Sequence, residues 1–171
     1  MKRNLKLVLI IAIISVISFS FSTNKTNDNP KNSDVFLNKL IGTWEAISKD
    51  DEGERKELWT LDWSTNKTHL ELNVVSSFND NPFATGYGFI VADSTSHEYR
   101  IYLMMDNGAM HESVGIRNKE SEIDFILKTY GNVNFPDLKC KFLVNENTMT
   151  TKYTSLDDKE YYTLEFSKID D

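Results

Sequence analysis

The chain has 171 residues, of which 40% are hydrophobic, 12% aromatic and 26% charged. This length suits one domain, and the composition excludes a mainly disordered chain because there is enough apolar material for a core. Lys and Arg number 19 against 26 Asp and Glu, which gives a net charge of -7. The acidic balance argues against nucleic acid as a partner, since a phosphate-binding surface needs a basic excess.

The first 22 residues have the layout of a secretory signal peptide. Three basic residues among the first six precede an apolar run over residues 7–19, and small side chains at Ser20 and Ser22 suit cleavage after Ser22. An uncleaved membrane anchor is the alternative, because the uncharged stretch is long enough to span a bilayer. We therefore expect export to the periplasm or the extracellular space, with no membrane contact once the signal is cleaved.

A polar linker is predicted over residues 23–32, which contain Pro30 and show no periodicity. The folded domain is then expected over residues 33–171. It begins with a short helix, because Ser33 and Asp34 can cap a segment with apolar residues at helical spacing. Gly42 ends that helix.

The rest of the chain is predicted to be all-β. Turn-like clusters recur along it and separate segments of about eight to eleven residues that are rich in β-branched and aromatic side chains. This pattern favours about ten antiparallel strands in an up-and-down barrel, because closure removes exposed strand edges. A two-sheet sandwich is the alternative, although it would need longer connections.

The direction of the side chains can be predicted from the turns. Asn107-Gly108 is the strongest short signal for a two-residue hairpin turn, and a second turn is expected at Lys119-Glu120. Both turns point the same residues inward, and the turns further along the chain add inward residues near its end. The inward residues predicted to bind a ligand are Tyr99, Leu103, Glu112, Phe125, Leu127, Tyr153 and Tyr162.

Glu112 is the exception on this apolar face. Burying an unpaired carboxylate is costly and raises its pKa. Glu112 therefore either lies at a wet barrel mouth, pairs with an interior hydroxyl, or orients a ligand. On the outer face, Tyr102, Met104 and Ile126 form an apolar strip that suits a helix or a second copy of the chain, so a homodimer stays open.

The short helix followed by Gly42-Thr43-Trp44 on the first strand resembles the opening Gly-x-Trp motif of lipocalins and the wider calycin group, in particular small bacterial lipocalin-like proteins. In that group the helix plugs one barrel end and the Trp packs against a basic side chain from the last strand. Lys168 has the inward parity for such a cation–π contact with Trp44. The resemblance implies a barrel that encloses a small ligand.

No motif in the sequence predicts a metal or a cofactor. None of His69, His97 and His111 lies two to four residues from another histidine or cysteine, and no histidine follows near the chain's end where haem-binding barrels of similar layout use one. Phosphate-loop, dinucleotide and nucleophile-elbow motifs are absent from the sequence. The single Cys140 rules out an internal disulfide and is predicted to be a core residue.

These observations predict an exported binding protein that holds a small, largely hydrophobic or amphipathic molecule inside a β-barrel. One alternative is a barrel filled by its own side chains that acts as a protein-interaction module through its outer face. The other is an enzyme that uses Glu112 as a general acid or base, and we expect binding rather than catalysis.

Overall fold

A computed structural model describes residues 34–93, 95–131 and 135–169, and these residues form one short helix and ten antiparallel strands that close into a barrel. Each strand pairs with its neighbours in sequence, and the first pairs with the last. The predicted all-β up-and-down barrel is therefore confirmed. The predicted signal peptide at residues 1–22 and linker at residues 23–32 lie outside the described residues.

The elements follow one another with short connections. They are α1 (Val35–Leu40), β1 (Gly42–Asp50), β2 (Gly53–Trp63), β3 (Leu70–Phe78), β4 (Asn81–Asp93), β5 (Glu98–Met105), β6 (Met110–Lys119), β7 (Glu122–Tyr130), β8 (Leu138–Val144), β9 (Thr148–Ser155) and β10 (Glu160–Ile169). Within the described part of the chain no helix is long and apolar enough to cross a membrane.

Helix α1 packs against the barrel at the end where β1 and β5 begin, which we call the closed end. The Asp34 carboxylate caps the helix by accepting hydrogen bonds from the amides of Phe36 and Leu37, at 2.9 and 3.0 Å. The Trp44 indole N–H donates to the carbonyl of Leu40 at 2.8 Å. These bonds join the helix directly to the first strand.

Large apolar side chains fill the closed end. Phe36 of α1 is 1% exposed and meets the Tyr99 ring edge-on at 5.5 Å. The inward side chains of the surrounding strands pack in the same buried cluster, including Trp44, Leu61, Leu70, Ile123, Val144, Met149 and Phe166. Burial of this cluster is the main source of stability in the fold.

The β5–β6 hairpin has a different turn from the predicted one. The Gly108 amide donates to the Met105 carbonyl at 3.0 Å, and the Met105 amide donates to the Ala109 carbonyl at 2.9 Å. The loop therefore has three residues, with Gly108 in the left-handed region at φ 84°. Leu103 consequently pairs with His111 instead of Glu112.

This one-residue shift reverses every side chain of β6, because strand side chains alternate with a period of two. His111, Ser113 and Gly115 pair with inward residues of β5, while Glu112 and Ile116 face outward. The predicted inward position of Glu112 is therefore wrong. A bulge between Arg117 and Lys119 restores the register, so β7 still directs Ile123, Phe125 and Leu127 into the barrel, as the sequence predicted.

Candidate functional site

A cavity of about 710 Å³ occupies the half of the barrel away from α1, which we call the open end. This volume lies within the range of about 300–1,000 Å³ typical of small-molecule sites. Most of its wall is apolar, with polar groups at a few positions. Its lining includes Ala46, Ser48, Arg55, Glu57, Trp59, Leu72, Val74, Ser76, Ile90, Ile101, Leu103, His111, Ser113, Leu127, Cys140, Phe142, Tyr153, Tyr162 and Leu164.

The cavity exists because the inward side chains near the open end are small. Ala46 and Ser48 face inward from β1, Ser76 from β3 and Ser113 from β6. The corresponding positions at the closed end carry Trp, Leu, Ile and Phe side chains. The same alternation of inward residues thus fills one half of the barrel and leaves the other half empty.

Glu57 of β2 is the acidic side chain that lines this cavity. It accepts a hydrogen bond of 2.8 Å from the Ser76 hydroxyl, and it has no ion pair among the described residues. Burial raises its pKa because desolvation outweighs the Ser76 hydrogen bond and the Trp59 indole, both of which favour the charged form. The Trp59 N–H is buried and reaches no hydrogen-bond partner in the described structure.

Arg55 lies two residues from Glu57, nearer the rim, and also lines the cavity. Its guanidinium contacts the Glu52 carboxylate at 3.5 Å, and both side chains are more than half exposed. This pairing holds the cation at the mouth of the barrel. Arg55 therefore forms an exposed ion pair with Glu52 at the rim of the barrel.

His111 of β6 faces the cavity from another side of the barrel. Its Nδ1 lies 3.0 Å from the Thr129 hydroxyl, and its ring meets Phe135 edge-on at 6.1 Å. Burial lowers the pKa of His111, because desolvation disfavours the imidazolium. The ring is accordingly neutral at neutral pH and adds no positive charge to the cavity.

Tyr153 and Tyr162 form a flat aromatic wall, with their rings stacked at a centroid distance of 4.2 Å. Desolvation raises the pKa of both phenols and of the Cys140 thiol beside them. All three groups are therefore neutral at neutral pH. The charge of Glu57 also contributes to the raised pKa of Tyr162, which places this carboxylate within electrostatic reach of the tyrosine pair.

The structure separates the predicted ligand-binding residues into three groups. Four of them, Leu103, Leu127, Tyr153 and Tyr162, line the cavity. Tyr99 and Phe125 point inward but do not line it: Tyr99 donates a hydrogen bond of 2.6 Å to Asp34 at the closed end, and Phe125 is 2% exposed behind the wall. Glu112 lies outside the barrel.

Glu112 has an ordinary exterior environment. Its carboxylate accepts a hydrogen bond of 3.2 Å from the Tyr130 hydroxyl on the neighbouring strand. The interior carboxylate that the sequence assigned to Glu112 is Glu57 instead. A sequence signal for Glu57 exists, because the two-residue turn at Asp51-Glu52 sets Trp59 opposite Trp44 and gives Glu57 the same inward parity.

Gly42, Trp44 and Lys168 meet at the closed end. Trp44 and Lys168 are direct partners across β1 and β10, and the Lys168 ammonium lies 5.2 Å from the centre of the Trp44 ring. A Cβ on Gly42 would lie 2.5 Å from Cε of Lys168, and Gly42 has φ 123°. Glycine therefore leaves space for the lysine to cover the Trp.

The outer face carries the predicted apolar strip in part. Met104 is 55% exposed and Ile126 is 40% exposed, whereas Tyr102 is half-buried. Met104 pairs with Met110, which is also exposed. Dimerisation through this face stays a prediction.

In the described ranges, no group of three or more His, Cys, Asp and Glu side chains is placed to hold a metal ion. The cavity therefore offers aromatic, hydroxyl and carboxylate groups to a ligand.

The chain has only limited similarity to known proteins. No family model and no curated protein matches the chain. Among solved structures, a de novo designed fluorescence-activating β-barrel is 20% identical and aligns over 78% of this chain and 96% of its own, with a TM-score of 0.40. The structure of mFAP2b bound to DFHBI is 10% identical over 81% and 100% of the two chains, with a TM-score of 0.40. At these values the likeness adds no evidence about function.

Proposed function

We propose that this barrel is an exported binding protein that holds a small, largely hydrophobic molecule in its open half. The observation that carries the proposal is the cavity of about 710 Å³, bounded by a packed core on one side. Apolar walls with a few convergent polar groups are typical of ligand sites. The alternative of a filled barrel does not agree with this empty half.

The interior chemistry supports binding over catalysis. The two side chains that act on Glu57, Ser76 by a hydrogen bond and Trp59 by its influence on the pKa, are not acid–base groups at neutral pH. His111 is bonded to Thr129. The enzyme alternative that rested on Glu112 loses its residue, because Glu112 faces outward.

The proposal includes membership of the lipocalin and calycin group. It is supported by the closed barrel, by the short helix before β1, and by Lys168 over the ring of Trp44. Export is supported by the sequence of residues 1–22 alone. Fractionation of cells that express the full chain, followed by determination of the mature N-terminus, tests this part.

Native mass spectrometry tests the binding proposal. Protein purified without detergent should carry an extra mass that is lost on denaturation. As a matched pair, Ser113→Phe places a ring inside the cavity, whereas Val114→Phe places one on the outer face of the same strand. The first variant should lose the extra mass and the second should keep it. Retention by both variants, or an apo mass together with no binding of 2-(1-naphthyl)ethanol, 2-(1-naphthyl)ethylamine or 1-naphthylacetate, would refute the proposal.

A further inference from the structure

The cavity holds one acidic side chain, Glu57, which forms no ion pair among the described residues. Six ionisable side chains line it: Arg55, Glu57, His111, Cys140, Tyr153 and Tyr162. Arg55 pairs with Glu52 at the solvated rim, and burial keeps the histidine, the cysteine and both tyrosines uncharged at neutral pH. Glu57 is left as the one side chain in this set whose charge no described residue balances.

The surroundings of Glu57 favour a cation as its missing partner. A carboxylate in an apolar cavity is costly unless it is paired. Ser76 supplies one hydrogen bond, and the Trp59 side chain, which is only 8% exposed, also favours the charged form of Glu57. Both groups support an ionised Glu57 without neutralising it. A bound ammonium group would supply the remaining compensation.

The walls beside Glu57 are aromatic. Trp59 packs against Phe166 at a centroid distance of 4.9 Å, and the Tyr153–Tyr162 stack lies within electrostatic reach of Glu57. Faces of Trp and Tyr attract organic cations and stack with aromatic ligands. β1 lies between the strand of Glu57 and the strand of Tyr162, and its residues in the cavity wall are the small Ala46 and Ser48, which leave room for a bulky group.

From this arrangement we propose that the cavity selects organic cations, in particular amines attached to an aromatic body, with Glu57 as the residue that binds the ammonium group. The inference rests on the proposed ligand-binding function and narrows it to one chemical class. The chain's net charge of -7 acts in the same direction, because it attracts cationic ligands at long range.

Three probes that share one aromatic body test this selectivity: 2-(1-naphthyl)ethylamine as the cation, 2-(1-naphthyl)ethanol as the neutral form and 1-naphthylacetate as the anion. Isothermal titration calorimetry at pH 7 should give the order amine, alcohol, anion. The amine should bind roughly ten- to a hundredfold more tightly than the alcohol, which is the value of a charge-assisted hydrogen bond.

Glu57→Gln should remove this preference, so that the amine binds about as weakly as the alcohol, while the affinity for the alcohol stays within about threefold. Glu112→Gln is the matched control, because it removes the same charge from the outer face and should leave all three affinities unchanged. Persistence of the amine preference in Glu57→Gln would overturn the assignment of Glu57.

The probe series on the unmodified protein is decisive even if Glu57→Gln fails to fold. Equal affinity for amine and alcohol, or tightest binding of the anion through Arg55, would overturn the cation inference and leave the proposed carrier function standing. No binding of any of the three probes would instead count against the carrier function itself.

Discussion

Asp34 joins helix α1 to the barrel, so its removal should destabilise the protein strongly. Its carboxylate caps the helix through the amides of Phe36 and Leu37, accepts a hydrogen bond of 2.6 Å from the Tyr99 hydroxyl, and lies 3.8 Å from the Arg117 guanidinium. The side chain of Asp34 is 15% exposed. One residue thus connects the helix with β5 and β6.

The cost of Asp34→Ala can be worked out contact by contact. Loss of the N-cap costs about 1 kcal/mol. The buried Tyr99 hydroxyl, on a residue only 1% exposed, then has no acceptor, which costs about 1–3 kcal/mol more. We therefore expect a loss of about 2–4 kcal/mol. Asp34→Asn is the matched control and should lose less than Asp34→Ala, because its amide oxygen keeps the cap, while the Tyr99 hydroxyl, which donates to the second carboxylate oxygen, can accept from the Asn NH2 instead.

Urea unfolding followed by tryptophan fluorescence measures these differences, because the buried Trp44 is bonded to the last turn of α1. A double-mutant cycle with Tyr99→Phe isolates the hydroxyl contact. The double variant should be about 1–2 kcal/mol more stable than the sum of the single losses predicts. Strict additivity, or an Asp34→Ala variant within about 0.5 kcal/mol of the unmodified protein, would refute the reasoning.

Three further outcomes follow from individual contacts. Gly88→Ala should cost at least about 3 kcal/mol, because the new Cβ would lie 2.0 Å from the Tyr102 carbonyl oxygen. Gly108→Ala should cost only about 1 kcal/mol, for its left-handed backbone, because the new Cβ would meet no atom within 4 Å. Urea midpoints compare the two variants. Glu57→Gln should raise the melting temperature at pH 7 but not at pH 4. Because folding raises the pKa of Glu57, the protonated carboxyl contributes stability below the pKa of the unfolded carboxyl, and this contribution is lost as the pH rises through the folded pKa. Burial raises the pKa of the Cys140 thiol, so a disulfide-based thiol reagent should label it only after unfolding, and rapid labelling of the native protein would contradict its buried position.

The sequence was sufficient for the barrel and for most of its inward face. The two-residue turn Glu146-Asn147, between Asn145 and Thr148, fixes the register of β8 against β9. Between β9 and β10 the loop has three residues and ends in the left-handed Asp158, and a bulge between Glu160 and Tyr162 restores the alternation, so the inward tyrosines are where the sequence predicts them. The β5–β6 turn could not be decided in the same way, because Asn-Gly suits both a two-residue turn and a three-residue loop that ends in a left-handed glycine.

The hydrophobic pattern of β6 then reinforced the wrong choice. Val114 and Ile116 look like inward residues, yet Ile116 is 59% exposed and the polar Ser113 is buried. Packing decides this register: a Cβ on Gly115 would meet the Phe125 ring at 2.5 Å, so the position facing Phe125 must be a glycine. That contact joins residues on two strands and is not visible in either strand alone.

The exception on β6 also indicates why the cavity exists. A barrel built only for stability would direct Val114 and Ile116 inward and leave Ser113 and His111 in water, because burial of apolar surface is the dominant favourable contribution to folding. The chain does the opposite along one wall of the cavity, and on β2 it adds Glu57 to the interior. Local departures from the stable pattern are expected where function requires them. Since these departures line the same empty half of the barrel, we infer that the space is kept for a ligand.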